Sequence, residues 1–209
     1  MNVKTYIDYT LLKPDLTFEQ IDKVVFEAII NKYYSICIPP YFIDRVKRAV
    51  DEKDLVITTV IGFPNGFESY KGKVEEIKEA VSNGAKEMDA VLNLSAVKNN
   101  KWNYVENEID SLTSICRLKN AKLKLIVENQ LVTEEELDQI VKLCIKHNVD
   151  FIKTATGVNG KTSLEFIRSL KRLCGDDLLI KAAGGISTKE EAIAMIENGA
   201  SRIGTSSLI

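Results

Sequence analysis

The chain has 209 residues, 45% of them hydrophobic and 28% charged, with a formal net charge of −2. That is globular composition without the basic stripe of a nucleic-acid binder or the charge block of a disordered tail. No apolar stretch nears the roughly 20 residues a membrane span needs, and MNVKTYIDYT lacks the apolar core of a leader, so a cytoplasmic protein without membrane or nucleic-acid partners is expected. In chain order, TYIDYT (5–10) is a short first strand, followed by a helix over 17–32 that opens with Thr17, Glu19 and Gln20. YSICI (34–38) and VITTVIG (56–62) are strands, and a helix over 69–83 stops at Gly84. EMDAVLN (87–93) and KLKLIVE (122–128) continue the series. A helix over 133–147 carries the capping-box signature Thr133 to Glu136. VDFIKTA (149–155), a helix over 163–173 from Ser163, LLIKAAG (178–184), a helix over 187–198 from Ser187, and SRIGTS (201–206) complete it.

Strand and helix in alternation mean a parallel sheet, and eight such units close into an α/β (β/α)₈ TIM barrel, here one domain over residues 1–209. An open doubly wound sheet would carry GxGxxG after its first strand, and none is present. Cys37, Cys116, Cys144 and Cys174 form no CxxC pair and read as reduced, mostly buried thiols. His147 is the single histidine, at an expected helix end, so metal sites and Ser–His or Cys–His pairs lack their usual ligand or base. Chemistry without a metal or cofactor, run on lysine, carboxylate, hydroxyl or backbone, is the expectation.

In such a barrel the chemistry sits at the C-terminal ends of the strands. The polar residues there are Asp8, Thr10, Cys37, Thr58, Thr59, Asp89, Asn93, Glu128, Lys153, Thr154, Thr156, Lys181, Thr205, Ser206 and Ser207. Two lysines ending apolar runs are the informative pair. A buried ammonium costs several kcal/mol unless paired, so the alternative to function is a Lys–carboxylate network that only holds the barrel. A charged Lys181 beside Lys153, together with desolvation, would disfavour protonation of Lys153 and free its lone pair for attack on a carbonyl. The resulting imine draws electrons from the adjacent carbon, and Asp89 is placed to move a proton there. Gly184–Gly185 and Gly204–Ser207, after the last two strands, suit a phosphate cradle. Gly62–Gly66 reads as loop shaping and Cys37 as core packing.

These motifs resemble deoxyribose-phosphate aldolases. The matching stretches are IDYTLLKPDLT (7–17), SICIPPYFI (35–43), TVIGFPNG (59–66), GAKEMDAVLN (84–93), KLIVENQLVTEEE (124–136), DFIKTATG (150–157), IKAAGGISTKEEA (180–192) and GASRIGTSS (199–207), in order along nearly the whole chain. The resemblance implies a metal-independent aldolase that interconverts 2-deoxy-D-ribose 5-phosphate with acetaldehyde and D-glyceraldehyde 3-phosphate. It implies Lys153 as the Schiff-base lysine, Lys181 as the lysine that tunes it, and Asp89 as the proton relay. It places Thr10, Thr156 and Gly157 near the substrate and Gly184, Gly185, Gly204, Ser206 and Ser207 at the phosphate. The pattern departs at Tyr9, Pro39, Val158 and Ser187, and at the end of the chain directly after the last loop. Ser187 stands where relatives often carry Arg, and Val158 where some carry Lys, which predicts weaker phosphate binding unless Arg202 or backbone amides compensate. A ketose-phosphate aldolase of the same type and a sugar-phosphate binding protein without turnover are the competing readings. Pairing through outer helices into a dimer or tetramer is expected.

Overall fold

The structure is a computed structural model that describes residues 2–50 and 55–209. Eight parallel strands form a closed barrel in sequence order. They are β1 (Ile7–Thr10), β2 (Ser35–Ile38), β3 (Val56–Ile61), β4 (Glu87–Val91), β5 (Lys122–Ile126), β6 (Phe151–Lys153), β7 (Leu179–Ala183) and β8 (Arg202–Thr205). β8 pairs back onto β1, with Asp8 opposite Gly204, which removes the open edge. The first predicted strand is shorter than expected, because Val3–Tyr6 forms a 3₁₀ turn before it.

Five helices fall where the sequence places them: α1 (Phe18–Asn31), α3 (Tyr70–Ser82), α6 (Glu134–Lys146), α7 (Leu164–Cys174) and α8 (Lys189–Glu197). Their starts are set by side-chain caps. Thr17 and Gln20, Thr133 and Glu136, and Thr188 and Glu191 form reciprocal capping boxes. α8 therefore starts from Thr188 rather than Ser187. Among the described residues, three helices stand outside the sequence expectation: α2 (Ile43–Val50), α4 (Leu94–Lys98) and α5 (Trp102–Leu118). α5 buries Val105, Ile109, Leu112 and Cys116, a helical spacing that the chain does carry.

The two faces of the barrel wall differ in chemistry. Alternate strand residues such as Ile36, Met88, Leu123, Ile152, Ile180 and Ile203 are buried in the apolar layer shared with the helices. The intervening residues, among them Asp8, Glu87, Asp89, Lys124, Lys153, Lys181 and Arg202, are buried inside and contact one another across the barrel. The apolar layer supplies the folding drive, while the charged interior is held by mutual pairing.

Candidate active site

The short strand β6 ends on Lys153, and Lys181 sits directly opposite it on β7. Parallel pairing at that register brings the two amines to one acceptor. Lys153 Nζ lies 2.8 Å and Lys181 Nζ 2.7 Å from the same oxygen, Asp89 Oδ2 on β4. Lys181 also reaches Asp8 Oδ2 at 2.5 Å. The other oxygen of Asp89 takes Lys124 at 2.9 Å, and Lys124 continues to Glu87 at 2.7 Å. Arg202 closes the network on Asp8 at 2.8 Å and Glu87 at 3.0 Å. Gly204 permits this packing: a Cβ there would sit 3.1 Å from Lys181 Cε and 3.0 Å from Ala183 Cβ.

The charges in this cluster can be counted. Asp8, Glu87 and Asp89 are matched by Lys124, Lys181 and Arg202, so charge balance does not call on Lys153. Burial alone would raise the Asp89 carboxyl, but Lys124, Lys153 and Lys181 outweigh it and hold Asp89 well below the usual carboxylate range. Asp8 is lowered in the same way, burial being overcome by Lys181, Lys124 and Arg202. Burial would lower Lys181, yet Asp8 and Asp89 raise it above the ordinary lysine value, so it remains an ammonium. Cys37 lies 3.9 Å from Asp89 Oδ2, and burial followed by the Asp89 charge pushes its thiol up to about 11. It is a buried neutral group beside the cluster.

Above this cluster a cavity of about 320 Å³ opens at the C-terminal ends of the strands. Thr10, Thr156 and Gly157 line it with Lys153, and Gly184, Gly185, Gly204, Ser206 and Ser207 line the same space. All of the predicted substrate residues are thus brought together. Lys181 and Asp89 lie beneath, and of these three residues only Lys153 lines the cavity, at 3% exposure. A larger hollow of about 800 Å³ between Asn93 and Tyr104 carries none of the barrel lysines.

Three features were not foreseen. Lys124 anchors the underside of Asp89, and the lysine interrupting the apolar run KLKLI is its sequence signal. Lys13 lines the cavity and brings a cation that Val158 and Ser187 do not. Arg202, one of the two alternatives to the missing cations at the phosphate, does not line the cavity. It is buried in the ion network, with its guanidinium 3.5 Å from the centre of the Tyr34 ring. Ser187 lines the cavity, but its N–H and hydroxyl both donate to Glu191 Oε2, at 2.7 and 3.2 Å. His147 caps α6 outside the barrel, between Glu106 and Asp110.

Known proteins share this sequence pattern and this barrel. Residues 3–208 match the family model described as DeoC/LacD family aldolase. The deoxyribose-phosphate aldolase of Thermococcus gammatolerans is 41% identical over 99% of this chain and 93% of its own. Among solved structures, an aldolase designated QR15 superposes with a TM-score of 0.93 at 40% identity, covering 98% of this chain and 91% of its own. A tetrameric deoxyribose phosphate aldolase from Aeropyrum pernix superposes at 0.91 with 28% identity, over 98% of this chain and 86% of its own. A lysine opening onto a cavity at the strand ends, held on a carboxylate inside a closed barrel, is therefore set in a member of the DeoC/LacD aldolase family.

Proposed function

We propose that the chain is a deoxyribose-phosphate aldolase that cleaves 2-deoxy-D-ribose 5-phosphate reversibly to acetaldehyde and D-glyceraldehyde 3-phosphate through an imine on Lys153. One observation carries the assignment of the nucleophile. Of the two lysines that share Asp89 Oδ2, Lys153 lines the cavity and Lys181 is sealed beneath it by a second carboxylate.

The amine of Lys153 adds to the C1 aldehyde of the open-chain sugar and loses water to give the iminium. The C3 hydroxyl gives up its proton, the C2–C3 bonding pair moves into the enamine, and C3 leaves as the aldehyde of glyceraldehyde 3-phosphate. Protonation of C2 and hydrolysis of the iminium release acetaldehyde and return the amine. Asp89, held ionised, suits the acceptor role in this proton traffic, directly or through a water. Lys181, held charged by Asp8 and Asp89, is the donor beside it and the positive field under the amine. At the far end, the N–H groups of Gly185 and Ser206 make no backbone hydrogen bond among the described residues, which suits a phosphate.

The relatives support the substrate, because two of the three named above, those of Thermococcus gammatolerans and Aeropyrum pernix, are deoxyribose-phosphate aldolases at about equal length. Borohydride reduction with acetaldehyde tests it: the expected product is one ethyl adduct, mapped to the peptide holding Lys153. An adduct with dihydroxyacetone phosphate and none with acetaldehyde would move the assignment to a ketose-phosphate aldolase. We also propose a cytoplasmic homo-oligomer built from a single domain. Its four cysteines are free and buried, and among the described residues no helix is long and apolar enough to cross a membrane. Phe26 and Ile30, one turn apart on α1, are 64% and 61% exposed, and self-association would cover them.

A further inference from the structure

Glu128 follows β5, is 1% exposed, and stands outside the ion network. Its φ is +53°, a left-handed conformation that is uncommon for a residue other than glycine and concentrates where function over-determines the backbone. Glu128 Oε2 accepts the Thr156 hydroxyl at 2.5 Å and the Thr156 N–H at 3.3 Å. Glu128 Oε1 is buried and takes no hydrogen bond among the described residues. A carboxylate left half-satisfied in a barrel mouth carries a cost that its fold does not recover.

The hydrogen-bond capacity of Thr156 can be counted. A hydroxyl has one proton and two lone pairs. The backbone N–H of Thr156 can only donate, so Glu128 Oε2 is an acceptor there, and the hydroxyl proton goes to the same oxygen. The Val158 N–H donates to Thr156 Oγ1 at 3.2 Å, which fills one lone pair. One lone pair is left, and no proton, at a residue that lines the cavity with Lys153. Thr10 follows the same pattern, its hydroxyl donating to the Asp8 carbonyl at 2.9 Å. At the other end the hydroxyls of Ser206 and Ser207 make no hydrogen bond among the described residues and keep their protons for an anion. The next residue, Gly157, places Thr156 between the two ends, since a Cβ there would lie 3.9 Å from Gly184 Cα.

We infer that Glu128 is a positioning residue that fixes Thr156 as a hydrogen-bond acceptor, so that the site selects acceptor aldehydes with a hydroxyl next to the carbonyl. The inference rests on the aldolase reading above and concerns its acceptor specificity. That hydroxyl is the C2 hydroxyl of glyceraldehyde 3-phosphate, between the reacting carbon and the phosphate.

The experiment measures aldol addition of acetaldehyde to D-glyceraldehyde 3-phosphate and to its 2-deoxy analogue, 3-oxopropyl phosphate. The readout is the ratio of the two kcat/KM values. Wild type is expected to favour the hydroxylated acceptor by roughly fivefold to tenfold, the scale of one neutral hydrogen bond. Glu128→Met leaves the Thr156 proton free to turn outward, and the ratio should fall toward one. Glu128→Gln keeps a carbonyl acceptor and should keep the preference. Thr156→Val should collapse the ratio, and the double variant with Glu128→Met should fall no further. If Glu128→Met does not fold by thermal melt, Glu128→Asp carries the same test, because its shorter carboxylate falls short of Thr156. An unchanged ratio in a folded Glu128 variant, with both acceptors slowed equally, would overturn the inference and leave the aldolase reading standing. No product with either acceptor in wild type would overturn both.

Discussion

Two buried lysine–carboxylate pairs in this molecule have opposite fates. Lys73 on α3 and Glu108 on α5 are both fully buried, 2.5 Å apart. Lys73 spends its remaining donors on the carbonyls of Gly66 and Val91, at 3.2 and 2.7 Å, and Glu108 Oε2 accepts from Asn93 N. The ammonium has three donors, and all three are used. The pair is a strut tying the loop after β3 to the end of β4. Among the described residues Lys153 Nζ makes one hydrogen bond, to Asp89, and Lys153 lines a cavity. Burial and a carboxylate neighbour are common to both, so neither marks a nucleophile. What distinguishes Lys153 is unspent bonding capacity at a space where a ligand fits.

Substitution should separate the two pairs, and the largest effect falls on Lys153. Lys153→Leu should lower retro-aldol turnover by on the order of 10⁴-fold or more, as removing a covalent nucleophile does, and abolish the borohydride adduct. Its urea midpoint should hold. Lys73→Met should do the reverse, costing about 3–5 kcal/mol in urea unfolding by stranding the Glu108 carboxylate, while the folded fraction keeps its turnover. Turnover that survives Lys153→Leu would place the nucleophile elsewhere. Lys181→Leu belongs with Lys153: a loss of roughly 10²-fold in kcat is expected, the scale of a misplaced proton-transfer partner, beyond what its change in melting explains. Equal losses of stability and activity would class Lys181 with Lys73.

The pairs also differ in the sign of their pH dependence. Asp89 is held below its ordinary 3.8 by Lys124, Lys153 and Lys181 acting against burial. Its contribution to stability is present above that value and lost as pH falls through the folded one. Burial pushes Glu108 above its ordinary 4.5, and the Lys73 charge does not cancel that push. Its contribution is present below 4.5 and lost as pH rises through the folded value. Melting of wild type against Asp89→Asn should therefore show the wild-type advantage shrinking in acid. Against Glu108→Gln it should shrink as pH rises above 4.5. Parallel curves for the two comparisons would break the distinction.

Much of this was legible in the sequence because strand and cap signals are local. Val- and Ile-rich runs marked each strand, and Thr17, Thr133 and Ser163 marked helix starts by chemistry that needs only three neighbouring residues. Lys153, Lys181 and Asp89 stood out because charged residues interrupted apolar runs. What stayed hidden depends on barrel closure. Lys124 and Asp8 meet across the interior at 3.6 Å, and nothing near either residue encodes that meeting. Arg202 follows the same rule: it lies close in sequence to the loop after β8, but strand alternation turns it into the network with Asp8 and Glu87. The commitment of the Ser187 donors to Glu191 needed the helix start to be fixed at Thr188 first.

That last contact leads to the smallest effect. Glu191 is exposed, and its carboxylate sits on the N–H of Ser187, the Ser187 hydroxyl and the N–H of Thr188. Those backbone bonds hold it below the ordinary carboxylate value, so it is an anion at the start of α8. On the phosphate placement proposed above, a substrate phosphate entering beside Ser187 would meet that charge and find the donors taken. Glu191→Ala frees both Ser187 donors and removes the repulsion, while Thr188 still caps the helix through its own hydroxyl. KM for the sugar phosphate should fall by about twofold to fivefold at low salt, and the gain should shrink at about 1 M salt, where exposed charges are screened within about 3 Å. The same substitution should leave KM for unphosphorylated deoxyribose unchanged. An equal shift for both sugars would mean that Glu191 acts by shaping the loop, and that the phosphate rests on the Gly185 and Ser206 amides without competition from the helix cap.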